Sequence, residues 1–505
     1  MAKRILLIAS SFEEVPSIAS KGVDTRLSIK LTDLSHYPLG LGYVYSYLEA
    51  AGHEVRSLWM NNHPFEVCLK STIETINRFK PAIIGLQIMT ANRTSSYRLI
   101  EYIHQHYPDI QLVIGGIHAT VMYKQLVLKY PFIIVVTGEG ELTFAELAEK
   151  LPGANAQWDD IKGIAFYRDN GVVSTQPREL IEDLDALPFP KHEAFFDPQR
   201  TYGCIVTSRG CPFSCSFCCL EAITRRKVRM RSVANVMAEI EFMIKTFPRM
   251  RMLFIHDDTF FLDNKRVIEF CDEVVRRGIK LDFICSGRVK PLSAEMIRKL
   301  EQANFKKVLL GLESGDEGVL KACRKGITLD DVVNAFQLFA RSSIDVYAFL
   351  IVGLPGENET TVANTIKLIK RLQKIKYIYY DNFSTLTVYP GTDVYEMTKR
   401  AGVLNDDFWL SDKLTPLYTL ENSPEQLLEL REILLNHISL DRFFTLPGFK
   451  AQVGMLPYIA PYVLRYVLPL KLLRLAVWIL RPLLPARLYN KVRSLYRSFF
   501  NLADN

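Results

Sequence analysis

A chain of 505 residues, 49% hydrophobic and 23% charged, is long enough for about two to four domains with sizeable cores, and it is no disordered polymer. Nine cysteines, mostly scattered, do not make a disulfide framework. "MAKRILLIAS" lacks the apolar length and cleavage site of a secretory signal, so the expected compartment is a reducing cytoplasm, where clustered thiols bind metal.

Residues 1–150 alternate short apolar runs with helical patterns. "RILLI" (4–8), "AIIGLQI" (82–88), "QLVIGG" (111–116) and "FIIVVTGEG" (132–140) are apolar without strict alternation, as strands buried on both faces are. Helical patterns fall at 40–51 and 95–106. This predicts an α/β fold with an N-terminal Rossmann-like doubly wound domain, whose strand ends meet small residues where such sheets bind ligands. Residues 151–200 read as a hairpin, turning at Asp169-Asn170-Gly171, and a Pro-rich linker.

A second series fills 201–395. Strands are expected at 202–207, 252–256, 281–286, 307–312, 346–352 and 383–388, with helices between them. Six βα units predict a partial (β/α)6 TIM barrel with functional groups just after strand ends. Residues 396–445 read as a helical extension and 446–505 as a basic, hydrophobic C-terminal tail.

Directly after the first strand of this second series stands "CPFSCSFCC" (211–219). Cys211, Cys215 and Cys218 are spaced C-x3-C-x2-C. Three thiolates on a tight loop suit a [4Fe–4S] cluster with one iron left open to an outside ligand. The competing reading is structural zinc with Cys204 or Cys219 as fourth ligand. Against it, no second C-x2-C pair exists in the chain.

On "CPFSCSFC", with its aromatic Phe217 before the last cysteine, the region resembles the radical S-adenosylmethionine (SAM) enzymes. The resemblance implies that SAM chelates the open iron and is cleaved reductively to a 5′-deoxyadenosyl radical. It extends across 200–395. "HDDTF" (256–260) carries Asp257 and Asp258 where the family contacts the SAM amino group, the alternative for Asp258 being a helix N-cap. "GLESGD" (311–316) brings Glu313 and Ser314; without such a role, Glu313 is an awkward buried carboxylate. Arg324 and Lys325 either pair with the SAM carboxylate or are solvated surface. "FLIVGLPGE" (349–357) and "TVYPGT" (387–392) bring Gly353 and Tyr389 beside the adenine.

In the N-terminal domain, "YPLGLGYVYSYLEAAGHEV" (37–55), "GGIHAT" (115–120) and "TGEGE" (137–141) resemble the cobalamin-binding domain attached to many radical SAM enzymes. The residues so implied are Leu39, Gly40, Gly42, Gly115, Gly116, Gly138, Glu139 and Gly140, the glycines allowing close backbone approach. One departure matters. Asp33, His36 and Gly40 are spaced D-x-x-H-x-x-x-G, each gap one residue longer than in the D-x-H-x-x-G motif whose histidine ligates cobalt. The expectation is cobalt without a protein imidazole below it. His118 is expected to be a hydrogen-bonding residue at a strand end.

The formal charge of +7 is unevenly spread. From Arg442 to Ala503 there are ten Lys or Arg and no Asp or Glu, leaving 52 basic against 55 acidic residues, or −3, in the rest. Basic residues interrupt every apolar window of the tail, which excludes a spanning helix. The segment suits peripheral contact with the inner face of the membrane; the alternative is a cap on the barrel. No nucleic-acid-binding module is evident, so no nucleic acid is expected.

Taken together, the residues and the resemblance predict a cobalamin-dependent radical SAM enzyme methylating an unactivated carbon of a small-molecule or lipid-like substrate. Flavodoxin or ferredoxin is the expected electron donor, and no catalytic residue beyond the cofactor ligands is assigned. The alternatives are an oxidative cyclase or rearrangement enzyme like the magnesium-protoporphyrin cyclase, and a cobalamin-sensing or membrane-scaffold protein.

Overall fold

The computed structural model describes residues 2–12, 38–151, 158–196 and 199–444. Asp33, His36 and the tail beyond residue 444 lie outside the described residues. The chain divides into a first unit, whose described residues fall within 2–12 and 38–435, and a second, most of which lies outside the described residues. The first holds both sheets discussed below.

In the first sheet, β1 (Arg4–Ala9), β2 (Glu54–Trp59), β3 (Ile83–Gln87), β4 (Gln111–Gly115) and β5 (Ile133–Val136) are parallel. The strand order is β2-β1-β3-β4-β5, continued by the antiparallel pair β6 (Ile164–Arg168) and β7 (Gly171–Ser174). The central strands are sealed on both faces, which is why they read as unbroken apolar runs. Two features differ from the sequence reading. β2 was not expected, because "EVRSLW" is a half-exposed edge strand rich in polar residues. The hairpin is no free connection: it extends the sheet, its turn taking positive φ at Asp169 (50°) and Asn170 (62°).

The second sheet is all parallel, with its strands in chain order: β8 (Tyr202–Ile205), β11 (Met252–Ile255), β12 (Asp282–Gly287), β13 (Phe305–Glu313), β14 (Asp345–Val352) and β15 (Ile378–Thr385). β8 and β15 are its free edges, so it is a half-barrel. A two-stranded ladder of β9 (Ser208–Arg209) and β10 (Arg229–Met230) brackets the cysteine loop. β15 begins five residues before the expected 383, because the Tyr-rich segment from Ile378 pairs with β14. Among the described residues no helix is long and apolar enough to cross a membrane.

One face of the first sheet shares a hydrophobic cluster with residues that follow the half-barrel strands. Residues after β15, among them Val388, Trp409 and Tyr418, pack with Leu99, Ile100 and Ile103 from the helix Arg93–His106.

Candidate functional site

The carboxyl ends of β1, β3, β4 and β5 form a shallow cradle of small residues. Gly116 has φ +96°, and a Cβ there would lie 2.7 Å from the Ile88 carbonyl oxygen, so only glycine fits. Gly138 (φ +77°) donates its N–H to Thr120 Oγ1 at 3.0 Å. Leu39, Gly40, Gly115 and Gly140 line the same wall. Gly42 does not; it is buried inside the helix Leu39–Ala50, where its carbonyl accepts from Lys191 N. His118 is sealed away from the cradle, with Nδ1 3.1 Å from Thr90 Oγ1 and Nε2 2.8 Å from Tyr97 Oη. Burial, aided by Arg93, pushes its pKa down to about 3, so the ring is neutral.

The second wall comes from the half-barrel. Asp257 is turned inward and accepts four hydrogen bonds: Thr207 N (2.6 Å), Thr207 Oγ1 (2.5 Å), Ser208 N (3.1 Å) and Ser208 Oγ (2.7 Å). These fix the strand exit that leads to the cysteines. Asp258 faces the cavity and accepts from Gly210 N at 2.8 Å. Burial raises its pKa to about 6, against the pull of that N–H. Asp258 is not a helix cap: the helix Asn264–Arg276 is capped by Asp263, which accepts from Lys265 N and Arg266 N.

Gly210 takes φ +97° immediately before Cys211, where a methyl group would strike the Lys227 carbonyl. The loop then curls, with Cys218 N donating to Cys215 O and Ser216 N to Cys323 O. Cys211 and Cys215 are half-buried and Cys218 is exposed. Desolvation raises the Cys211 thiol, opposed by the Phe213 N–H and by Arg288. Among the described residues no three His, Cys, Asp or Glu side chains converge on a single ion. A cubane does not need that, since each thiolate takes its own iron. Cys204, the candidate fourth zinc ligand, is buried within β8.

At the far strand ends, Glu313 (φ +63°) is 6% exposed, and Lys325 Nζ meets its Oε1 at 2.6 Å, so the buried carboxylate is neutralised internally. Gly311 leaves room for that pair: its Cβ would fall 2.6 Å from Glu313 Oε1. Ser314 is fully buried against Thr365. Arg324 is half-exposed and paired with Asp393. Gly353 turns at φ +86° and donates to the buried Glu357 carboxylate. Tyr389 is exposed, and Phe217 packs partly buried against the shared core.

The two walls enclose one cavity of about 370 Å³. Gly115, Gly116 and Gly138 stand on one side; Ser208, Arg209, His256 and Asp258 stand on the other. The cysteines and the residues after β13 and β14 are not on its wall.

Sequence reasoning missed the ion cage across this junction. Glu139 accepts from Arg209 Nη1 (3.0 Å), Arg229 Nη1 (2.7 Å) and Ile181 N (2.9 Å), while Arg209 Nη2 reaches Glu141 at 2.7 Å and its guanidinium lies over Tyr43. Burial works to raise the Glu139 pKa, but the two arginines hold it below the usual carboxylate value. Glu139 lines the cavity beside the glycine cradle and at the same time joins the walls. Arg209 and Arg229 carry no motif of their own, and Arg209 gains meaning only from a partner 70 residues away. Arg288 was missed for the same reason; it approaches Cys215 with Nη1 3.6 Å from Sγ.

Comparison with known proteins assigns each of the two regions to a family. Residues 30–148 match the B12 binding domain and residues 205–369 the radical SAM superfamily. An uncharacterised methyltransferase of Pyrococcus horikoshii is 29% identical over 368 residues, covering 71% of this chain and 78% of that one. The anaerobic magnesium-protoporphyrin IX monomethyl ester cyclase of Rubrivivax gelatinosus is 27% identical, covering 71% and 66%. The radical SAM methyltransferase TsrM of Kitasatospora setae, solved with tryptophan substrate and a SAM analogue bound, shares the fold at TM-score 0.63 and 20% identity, over 80% and 77% of the two chains.

Proposed function

We propose that this chain, which belongs to the radical SAM enzymes with an N-terminal B12-binding domain, transfers a methyl group to an unactivated carbon of a small-molecule substrate. The cofactors of that family are a [4Fe–4S] cluster, SAM and cobalamin. The observation that carries the reading is a cavity whose wall is formed both by the glycine cradle and by the loop-bearing strand ends. Substrate held there would meet both domains at once.

In this reading Cys211, Cys215 and Cys218 hold the cluster. The residues fit such a group: the loop is pinned by backbone hydrogen bonds, and the buried Arg288 Nε beside it has no hydrogen-bond partner. Bound there, the cluster and SAM supply a hydrogen-abstracting radical, and cobalamin supplies the methyl group. The protein's own work is to bind, orient and exclude water. Asp258 offers an acceptor for an ammonium group beside the cysteine loop. Asp257 positions that loop from behind. Gly115, Gly116 and Gly138 admit a flat macrocycle against bare backbone. A one-electron donor protein such as a flavodoxin or ferredoxin supplies the reducing equivalent, and the basic tail brings the enzyme to anionic lipid, which makes lipid-like substrates part of the reading.

Anaerobic turnover with methyl-labelled SAM on small-molecule and lipid extracts tests it. Methyl transfer gives S-adenosylhomocysteine and 5′-deoxyadenosine together. Cyclisation, the second reading, gives 5′-deoxyadenosine alone, and a scaffold gives neither. Replacing all three cysteines by alanine should abolish iron and sulfide binding after reconstitution; full retention would reject the ligand assignment.

A further inference from the structure

Arg288 follows β12 directly, its guanidinium 3.7 Å from the centre of the Phe213 ring, inside the cysteine loop. Nη2 donates to the Lys325 carbonyl, and Nη1 points at Cys215 Sγ from 3.6 Å. The residue is 5% exposed, and its Nε is buried with no hydrogen-bond partner. A carbonyl, an aromatic face and a cysteine sulfur leave a buried positive charge without a carboxylate partner, and such a charge is costly without an anion.

The neighbouring cations are spent elsewhere. Lys325 is neutralised by Glu313 at 2.6 Å. Arg324 is half-exposed, paired with Asp393 and screened by water. Arg288, by contrast, is buried, lies 3.6 Å from Cys215 Sγ and has no carboxylate partner among the described residues.

We propose that Arg288 tunes the reduction potential of the cluster by donating a hydrogen bond to the Cys215 sulfur. This rests on the reading of Cys211, Cys215 and Cys218 as ligands. Hydrogen bonds and positive charge beside ligand sulfur favour the more negative, reduced state. One electron enters from an external one-electron donor, and no bond at Arg288 is made or broken. Arg288 is thus a positioning and tuning residue: it acts through Cys215.

The test is a redox titration of full-length, reconstituted protein, reading the reduced cluster by paramagnetic resonance at the potential where the wild type is half reduced. Arg288→Gln should keep its iron, while its ratio of reduced to oxidised cluster falls about tenfold, equivalent to 59 mV for one electron. Arg288→Lys, which keeps the charge and loses the planar donor, should fall by less. Full iron with an unchanged ratio in Arg288→Gln overturns the proposal while leaving the ligand assignment intact. If Arg288→Gln holds no iron, Arg288→Lys decides: a lowered ratio supports the proposal, whereas an unchanged ratio or absent iron makes Arg288 a folding residue and overturns it. Iron retained by the triple cysteine variant would instead sink the underlying reading.

Discussion

Glu357 shows how one side chain in this fold links the turn after β14 to pH. It lies under the turn after β14, 4% exposed, and receives the Gly353 N–H; the Asn422 side chain holds its backbone carbonyl at 2.8 Å. Burial is the main cause that lifts its pKa from 4.5 to about 7, against the Gly353 and Leu354 N–H groups. The folded protein therefore holds a proton that the unfolded chain has lost between pH 4.5 and 7. Stability should fall as pH rises through that window, by about 1.4 kcal/mol per unit and on the order of 3 kcal/mol in all. Glu357→Gln keeps an acceptor for Gly353 N and cannot ionise. Urea unfolding at pH 5 and pH 8 should show a smaller difference for Glu357→Gln than for the wild type. An equal difference in both would assign the pH dependence to other groups.

At the scale of elements, the segment after β15 is a second tie, beside the Glu139 cage, between the half-barrel and the first sheet. Trp409 is fully buried; its carbonyl accepts from Tyr97 Oη at 3.1 Å, and the Arg93 guanidinium lies over its ring. Arg93 also reaches Thr415 Oγ1 at 3.2 Å, and Gln125 donates to Asp406 at 2.9 Å. Trp409→Ala should cost about 3–5 kcal/mol, as large-to-small core changes do, and should destabilise both sheets in one transition. Denaturant unfolding followed by far-ultraviolet circular dichroism checks it: a loss below about 1 kcal/mol would mean the strap is dispensable. None of this strap was legible in the sequence, because its meaning lies in contacts some three hundred residues apart. What was legible has local causes. Strands such as "IIVV" are buried on both faces and announce themselves by composition, and the cysteines by spacing. β2 hid because an exposed edge strand keeps polar residues, and β15 was shifted because tyrosines serve equally in strand and surface. Asp258, the N-cap alternative, does not cap the next helix; Asp263 does, because it stands directly before it.

For the whole molecule the governing asymmetry is charge: ten Lys or Arg and no acid between Arg442 and Ala503, against −3 elsewhere. That stretch lies almost wholly outside the described residues, so the argument runs on composition. Near an anionic bilayer each basic residue contributes about 1 kcal/mol, decaying over a Debye length of about 10 Å at 0.1 M salt. Half of the ten engaging would far outweigh the repulsion of a body at −3, and the Leu, Tyr and Trp between them add an apolar component insensitive to salt. A chain ending at Asp441 should therefore no longer sediment with anionic vesicles, while salt should weaken the full-length protein's binding without abolishing it. The truncation spares the packed part of the last helix, Pro424–Phe444, whose buried Leu427, Leu430 and Leu434 all lie upstream, with Leu427 against the Gly353 turn. It also spares every residue proposed for the cluster and SAM, so the truncated protein should keep its iron. Loss of iron or aggregation on truncation would make the tail a cap on the half-barrel, and the expectation of a lipid-like substrate would fall with the membrane contact that motivates it.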